Sequence, residues 1–105
     1  MDRDGVARLL DEMRSICARA LDTTRPGFVS VDRDALQPML GLCATLASKL
    51  KADPRFGYVS GKVADVRAAV AADMKGSHPS GHRSPDALAA LSQAWRIECG
   101  RIADQ

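Results

Sequence analysis

Two histidines, His78 and His82, share one short stretch, Gly76-Ser77-His78-Pro79-Ser80-Gly81-His82-Arg83-Ser84. On a helix this spacing would turn both imidazoles to one face, as a zinc site requires. Pro79 and Gly81 between them argue against a helix, and only Asp73 and Asp86 could serve as further ligands, if the stretch folded back on itself. No metal is therefore expected. Acid–base work by the same pair, as in a small hydrolase or nuclease, would need a third group to orient the rings and a sheltered pocket. That remains an alternative reading of His78 and His82. A phosphotransfer role needs an acceptor exposed midway along a helix, which neither histidine is. Arg83 and the serines stand just before a helix start, where free amides can hold an anion.

Other chemistry-bearing residues are more scattered. Cys17, Cys43 and Cys99 form no CxxC pair, and their odd number argues against a disulfide framework. Each falls among apolar residues at helical spacing, which predicts small buried hydrophobes rather than nucleophiles. There is no GxxxxGK loop, GxSxG elbow or HExxH pair. No cofactor and no enzymatic activity are expected. Residues 54–83 carry five basic side chains, Arg55, Lys62, Arg67, Lys75 and Arg83, against Asp65 and Asp73. This mildly basic segment is the basis of a nucleic-acid-binding alternative, with the turn at Asp53-Pro54 as its nearest approach to a helix-turn-helix.

The elements that would carry these residues are helices. Leu36, Met39, Leu40, Cys43, Leu46, Ala47 and Leu50 recur in steps of three and four, as do Phe56, Val59, Val63, Val66, Val70 and Met74. Val6 to Leu21 give a similar stripe, and so do Leu88, Leu91, Trp95, Cys99 and Ile102. Four helices are predicted, over about 4–22, 34–52, 54–75 and 85–100. Pro38 is harmless only within a first turn, which favours a start near Asp34. Asp53-Pro54 and Ser84-Pro85 are cap-plus-proline starts. Gly57 and Gly61 would weaken the third helix but share one face, where a neighbouring backbone could approach. Gly76 is a natural stop and Gly100 a candidate early end. Gln93, Arg96 and Glu98 read as solvated surface beside Trp95.

Between the first two predicted helices, residues 23–33 contain the turn signal Arg25-Pro26-Gly27 and then Phe28, Val29 and Val31, too apolar for a freely solvated loop. They are expected to cross one end of the bundle as a plug, with an exposed docking segment around Phe28 as the alternative. Residues 76–84 are expected to form an exposed loop.

The 105 residues predict one all-α domain, a four-helix up-down bundle. The apolar residues are mostly Ala, Leu and Val, with Phe28, Phe56, Tyr58 and Trp95 the only aromatics. A core so short of large side chains predicts a homodimer. The net charge of +2 is that of an ordinary mixed surface. No stretch nears the roughly 18–20 apolar residues of a membrane span, and Met1-Asp2-Arg3-Asp4 does not open a signal peptide. The sequence therefore reads as a cytoplasmic, non-enzymatic interaction or regulatory module, its Ala/Arg/Asp-rich composition suggesting a bacterium. The partner is expected to be another protein, with no membrane partner. The expected contact residues are Phe28, His78, His82 and Arg83.

Overall fold

The computed structural model describes residues 3–22, 30–75 and 83–103. Along the chain run α1 (Arg3–Ala20), a two-residue strand β1 (Leu21–Asp22), its partner β2 (Ser30–Val31), α2 (Arg33–Leu36), α3 (Pro38–Lys51), a single 3₁₀ turn (Pro54–Phe56), α4 (Gly57–Met74) and α5 (Ser84–Ala103). The protein is an all-α bundle of four long helices, as the apolar periodicity predicts. The strands are only an antiparallel bridge, Leu21 to Val31 and Asp22 to Ser30, that fastens the two sides of the first long connection.

Local chemistry accounts for the boundaries. The Asp32 amide donates to the Ala20 carbonyl at 2.8 Å, so α2 begins where α1 ends. The Asp32 carboxylate caps α2 by accepting from the Ala35 amide at 3.1 Å. This helix starts at Arg33, next to the Asp34 start favoured by the sequence, and its hydrogen-bond ladder is interrupted at Gln37, whose backbone stays helical. Pro38 has no N–H to bond the Asp34 carbonyl and its ring crowds that carbonyl. A new helix starts with Pro38 in its first turn, where the missing donor costs nothing. Asp53 plays the same capping part for the 3₁₀ turn, accepting from the Arg55 amide at 3.1 Å. The expected third helix is therefore a 3₁₀ turn followed by α4 from Gly57. Gly100 does not end α5, which continues to Ala103.

Around the bundle, α1 packs on α3 and α5, and α4 lies between α3 and α5. Three short links fix an up-down-up-down order: the α1-to-α2 contact just described, the tight turn into α4, and a bond from Arg101 Nη2 at the end of α5 to the Arg55 carbonyl at the start of α4. The core runs continuously through Val6, Leu10, Met13 and Ile16 of α1, Leu36, Met39, Leu46 and Leu50, Val59, Val63, Val66 and Val70 of α4, and Leu88 and Leu91 of α5. Phe56 and Trp95 meet at 5.1 Å between ring centroids, tilted by 31°, and supply the large side chains the rest of the core lacks.

The joint between α4 and α5 is polar and buried. Asp73, in the last turn of α4, is 1% exposed, and Ser84, the first residue of α5, is fully buried. One oxygen of the Asp73 carboxylate accepts both the Ser84 amide, at 2.9 Å, and the Ser84 hydroxyl. Ser84 thus donates its hydroxyl to α4 instead of capping its own helix. A free amide of α5 is satisfied by a charged acceptor, and a negative charge sits at the positive end of the helix dipole. Glu98 is the other departure from the sequence reading. It is 7% exposed rather than solvated, and it is paired with Arg101 one turn on.

Removing the buried cap should cost more than removing an exposed one. Asp73→Ala is expected to destabilise the protein by about 2–3 kcal/mol, against about 1 kcal/mol for Asp32→Ala, in urea unfolding monitored at Trp95. Equal midpoints for the two variants would show that the α4–α5 joint carries no special weight.

Candidate docking groove

Among the described residues, those singled out from the sequence are not gathered into one site. Phe28, His78 and His82 lie outside the described residues. Their anchors share one end of the bundle, where α1 and α4 finish and α2 and α5 begin. Arg83 is half-buried, and its carbonyl accepts the first intrahelical bond of α5, from Ala87. The anion-holding position beside it is taken by Asp73, which engages both the amide and the hydroxyl of Ser84.

Of the basic set, two members are already matched. Arg55 grips Asp53 through Nε and Nη2, the closest contact being 2.7 Å. Its hydrogen bonds hold the Asp53 carboxyl down to about 2. Lys62 lies 3.8 Å from Asp65 and 5.4 Å from the Tyr58 ring centre. Arg67 lines a small hollow between α3 and α4 beside Cys43 and Ala47. Lys75 is exposed at the C-terminal end of α4. At 100° per residue, Arg67 is turned about 140° from Lys62, whereas Lys75 comes within about 80° of Arg67, so Lys62 does not share a face with the other two.

The cysteines are placed as hydrophobes. Burial pushes the Cys17 thiol up to about 11, helped by the negative charge of Asp73 and by Cys43. Burial also raises Cys43 against the opposing pull of Arg67, and raises Cys99 against that of Arg3. None is poised as a thiolate. Among the described residues no three His, Cys, Asp or Glu side chains are grouped to hold a metal ion. No helix among them is long and apolar enough to cross a membrane.

A broad concavity formed by described residues lies where α1 passes α5. Ala7, Asp11 and Arg14 of α1 and Ser92 and Arg96 of α5 form its walls, over a floor of Leu10 and Trp95, and it encloses about 570 Å³. A second hollow of about 280 Å³ continues the same seam past Arg14, between Cys17 and Ala18 on one side and Pro85, Leu88 and Ala89 on the other. The seam exists because its flanks are short. Ala7, Asp11, Arg14 and Ala18 are spaced by four, three and four residues, as are Pro85, Ala89, Ser92 and Arg96, so each set forms one ladder on its helix. Ala7 and Ala18 on α1 and Ala89 on α5 are too short to fill the gap between the helices. From Ala7 to Ala18 the seam is roughly 16 Å long, about three helical turns.

Arg14 spans the seam. Its Nη1 donates to Asp11 at 3.3 Å and its Nη2 to the Ser92 hydroxyl at 3.4 Å. The side chains of Arg14 and Asp11 are 63% and 73% exposed, so their pairing is worth well under 1 kcal/mol net. Arg96 stands on the opposite wall, and among the described residues nothing neutralises it. The groove therefore has an apolar floor, one weakly engaged cation across its middle and a second at its rim.

Sequence reasoning placed Trp95 on the core stripe and Arg96 on the surface, but did not join them to α1. The usable signal was the matching ladders of alanine and arginine on the flanks of the first and last helices. Comparison with protein-family models, curated proteins and solved structures gave no match to this chain.

The thiol environments are open to direct test. At pH 8 a Cys17 thiol near 11 is ionised to roughly one part in a thousand. Thiol titration of the native protein should label Cys99 first and Cys17 last, with all three reacting promptly only in denaturant. Fast labelling of Cys17 in the folded protein would contradict its placement.

Proposed function

We propose that this protein is a non-enzymatic interaction module that docks another protein in the groove between α1 and α5. The observation that carries the reading is the seam itself: three turns long, apolar at its base and crossed near its middle only by Arg14. These are the dimensions and chemistry that suit a helix laid into a groove. The buried thiols and the dispersed basic residues give no comparable support to a catalytic or nucleic-acid role. A cytoplasmic, bacterial setting fits the composition and belongs to the same proposal.

Filling the groove tests it. Ala89 is exposed on the α5 wall, so Ala89→Trp should leave the fold intact while occupying the seam. A tagged wild-type protein should retain a stoichiometric protein partner from host lysate after nuclease treatment, and Ala89→Trp should lose it by tenfold or more. Retention by the filled variant, or loss on nuclease treatment alone, would overturn the reading.

Self-association has separate support. Gly41 lies within α3, Gly57 opens α4, Gly61 lies within α4 and Gly100 within α5, and a Cβ at any of the four would meet no atom of the protomer within 4 Å; the first three share the α3–α4 side. Each sacrifices up to about 1 kcal/mol of helix stability relative to alanine with no packing reason inside one copy. A second copy approaching α3 and α4 would supply that reason for the first three. In light scattering the wild type should then give twice the 11.2 kDa protomer mass, and the triple glycine-to-alanine variant should be monomeric. A monomeric wild type, or a triple variant that remains a dimer, would rule this out.

A further inference from the structure

We infer that the element the groove receives is an amphipathic helix bearing carboxylates, with Arg14 as the residue that yields to admit it. This inference rests on the groove being a docking surface and adds the chemistry of the occupant.

Three observations lead to it. Exposed Ala7, Ala18, Pro85 and Ala89 line the seam with apolar surface, above a nearly closed base of Leu10, Cys17, Leu88 and Trp95, which calls for an apolar face spaced at i, i+3, i+4 and i+7 on the incoming helix. The charges facing the seam are Arg14 and Arg96 against Asp11 alone, so the rim favours an anionic partner over a cationic one. Finally, Arg14 is the one side chain that lines both hollows, and it bridges them through bonds to Asp11 and Ser92. While it does so the seam is divided in two. A carboxylate on the incoming helix offers its guanidinium a bidentate partner in place of a 3.4 Å bond to a neutral hydroxyl and an exposed ion pair. Turning Arg14 onto that carboxylate joins the two hollows into one. Arg96, on the facing wall, is placed to take a second carboxylate about a turn away on the same helix.

Trp95 is the only tryptophan of the chain and lies in the groove floor, so its emission reports occupancy directly. The probes are three synthetic amphipathic peptides of about 18 residues, long enough to span the seam as a helix, and without Trp or Tyr. They share one Leu/Ala face and carry Glu, Gln or Lys on the other. The Glu peptide should shift Trp95 emission saturably and bind at least tenfold more tightly than the Lys peptide. Its affinity should fall as salt is raised. The double charge reversal Arg14→Glu with Arg96→Glu should invert the order, and Ala89→Phe, which fills the seam without adding a tryptophan, should abolish binding of all three. Both reversed side chains are exposed, and unchanged circular dichroism would certify the fold. Equal affinity for the three peptides, preference for Lys, or an order unmoved by the double reversal would overturn the acidic inference while leaving the groove a docking surface. If no peptide perturbs Trp95, both the inference and the groove reading fall.

Discussion

A carboxylate buried at the joint between two helices governs much of this small bundle. Asp73 is enclosed by protein, and burying a charge is costly unless it is fully engaged. Ser84 provides two donors on one residue, its amide and its hydroxyl, and with them α5 is fixed in rotation and height against α4. That rotation decides which residues of α5 face inward. With Ser84 held, Leu88, Leu91 and Trp95 enter the core, and Pro85, Ala89, Ser92 and Arg96 are turned along the flank facing α1. Far down the same helix, Arg101 ties to Glu98 and to the Arg55 carbonyl. Pinned near both ends to α4 and the turn before it, α5 is not free to slide across and close on α1.

The groove is a consequence of this arrangement combined with the choice of side chains. The α4 side of α5 is filled by valines and by the Phe56–Trp95 contact, whereas the α1 side meets alanines. Interiors pack to high density wherever side-chain volume allows; here the volume is missing on one flank, and the space appears as an open seam rather than an internal void. A partner helix would cover the exposed Ala7, Ala18, Pro85 and Ala89 along the walls of the seam. The cations at the rim then bear on which partners enter, more than on how stable the empty protein is.

Much of the fold was legible in the sequence. The four apolar stripes mark the four long helices, because apolar residues recurring every three to four positions line one face of a helix and of no strand. The Asp53-Pro54 start was legible as well, since its chemistry is local. The start near Asp34 was legible too, one residue from the observed Arg33. What sequence did not show is that the hydrogen-bond ladder is interrupted at Gln37, so that Pro38 opens a second helical segment. What sequence could not show were relations between helices. Asp73 reads as one more acid at a helix end; its role depends on Ser84 arriving eleven residues later from across a connection. Glu98 looks solvated until Arg101 and its neighbours enclose it. The groove is still less visible, because it depends on how two helices far apart in the chain are rotated toward each other.

The most direct test of groove docking is an amide-by-amide map of where an acidic amphipathic helix sits on the protein. Titrating the Glu peptide into ¹⁵N-labelled protein should give shifts concentrated in two stretches, 7–18 on α1 and 86–96 on α5, together with the Arg14 Nε and Trp95 Nε1 signals. Amides on the outer faces of α3 and α4 should stay still. Shifts centred on α3 and α4, or on the connections at either end of the bundle, would contradict groove docking and place the working surface elsewhere.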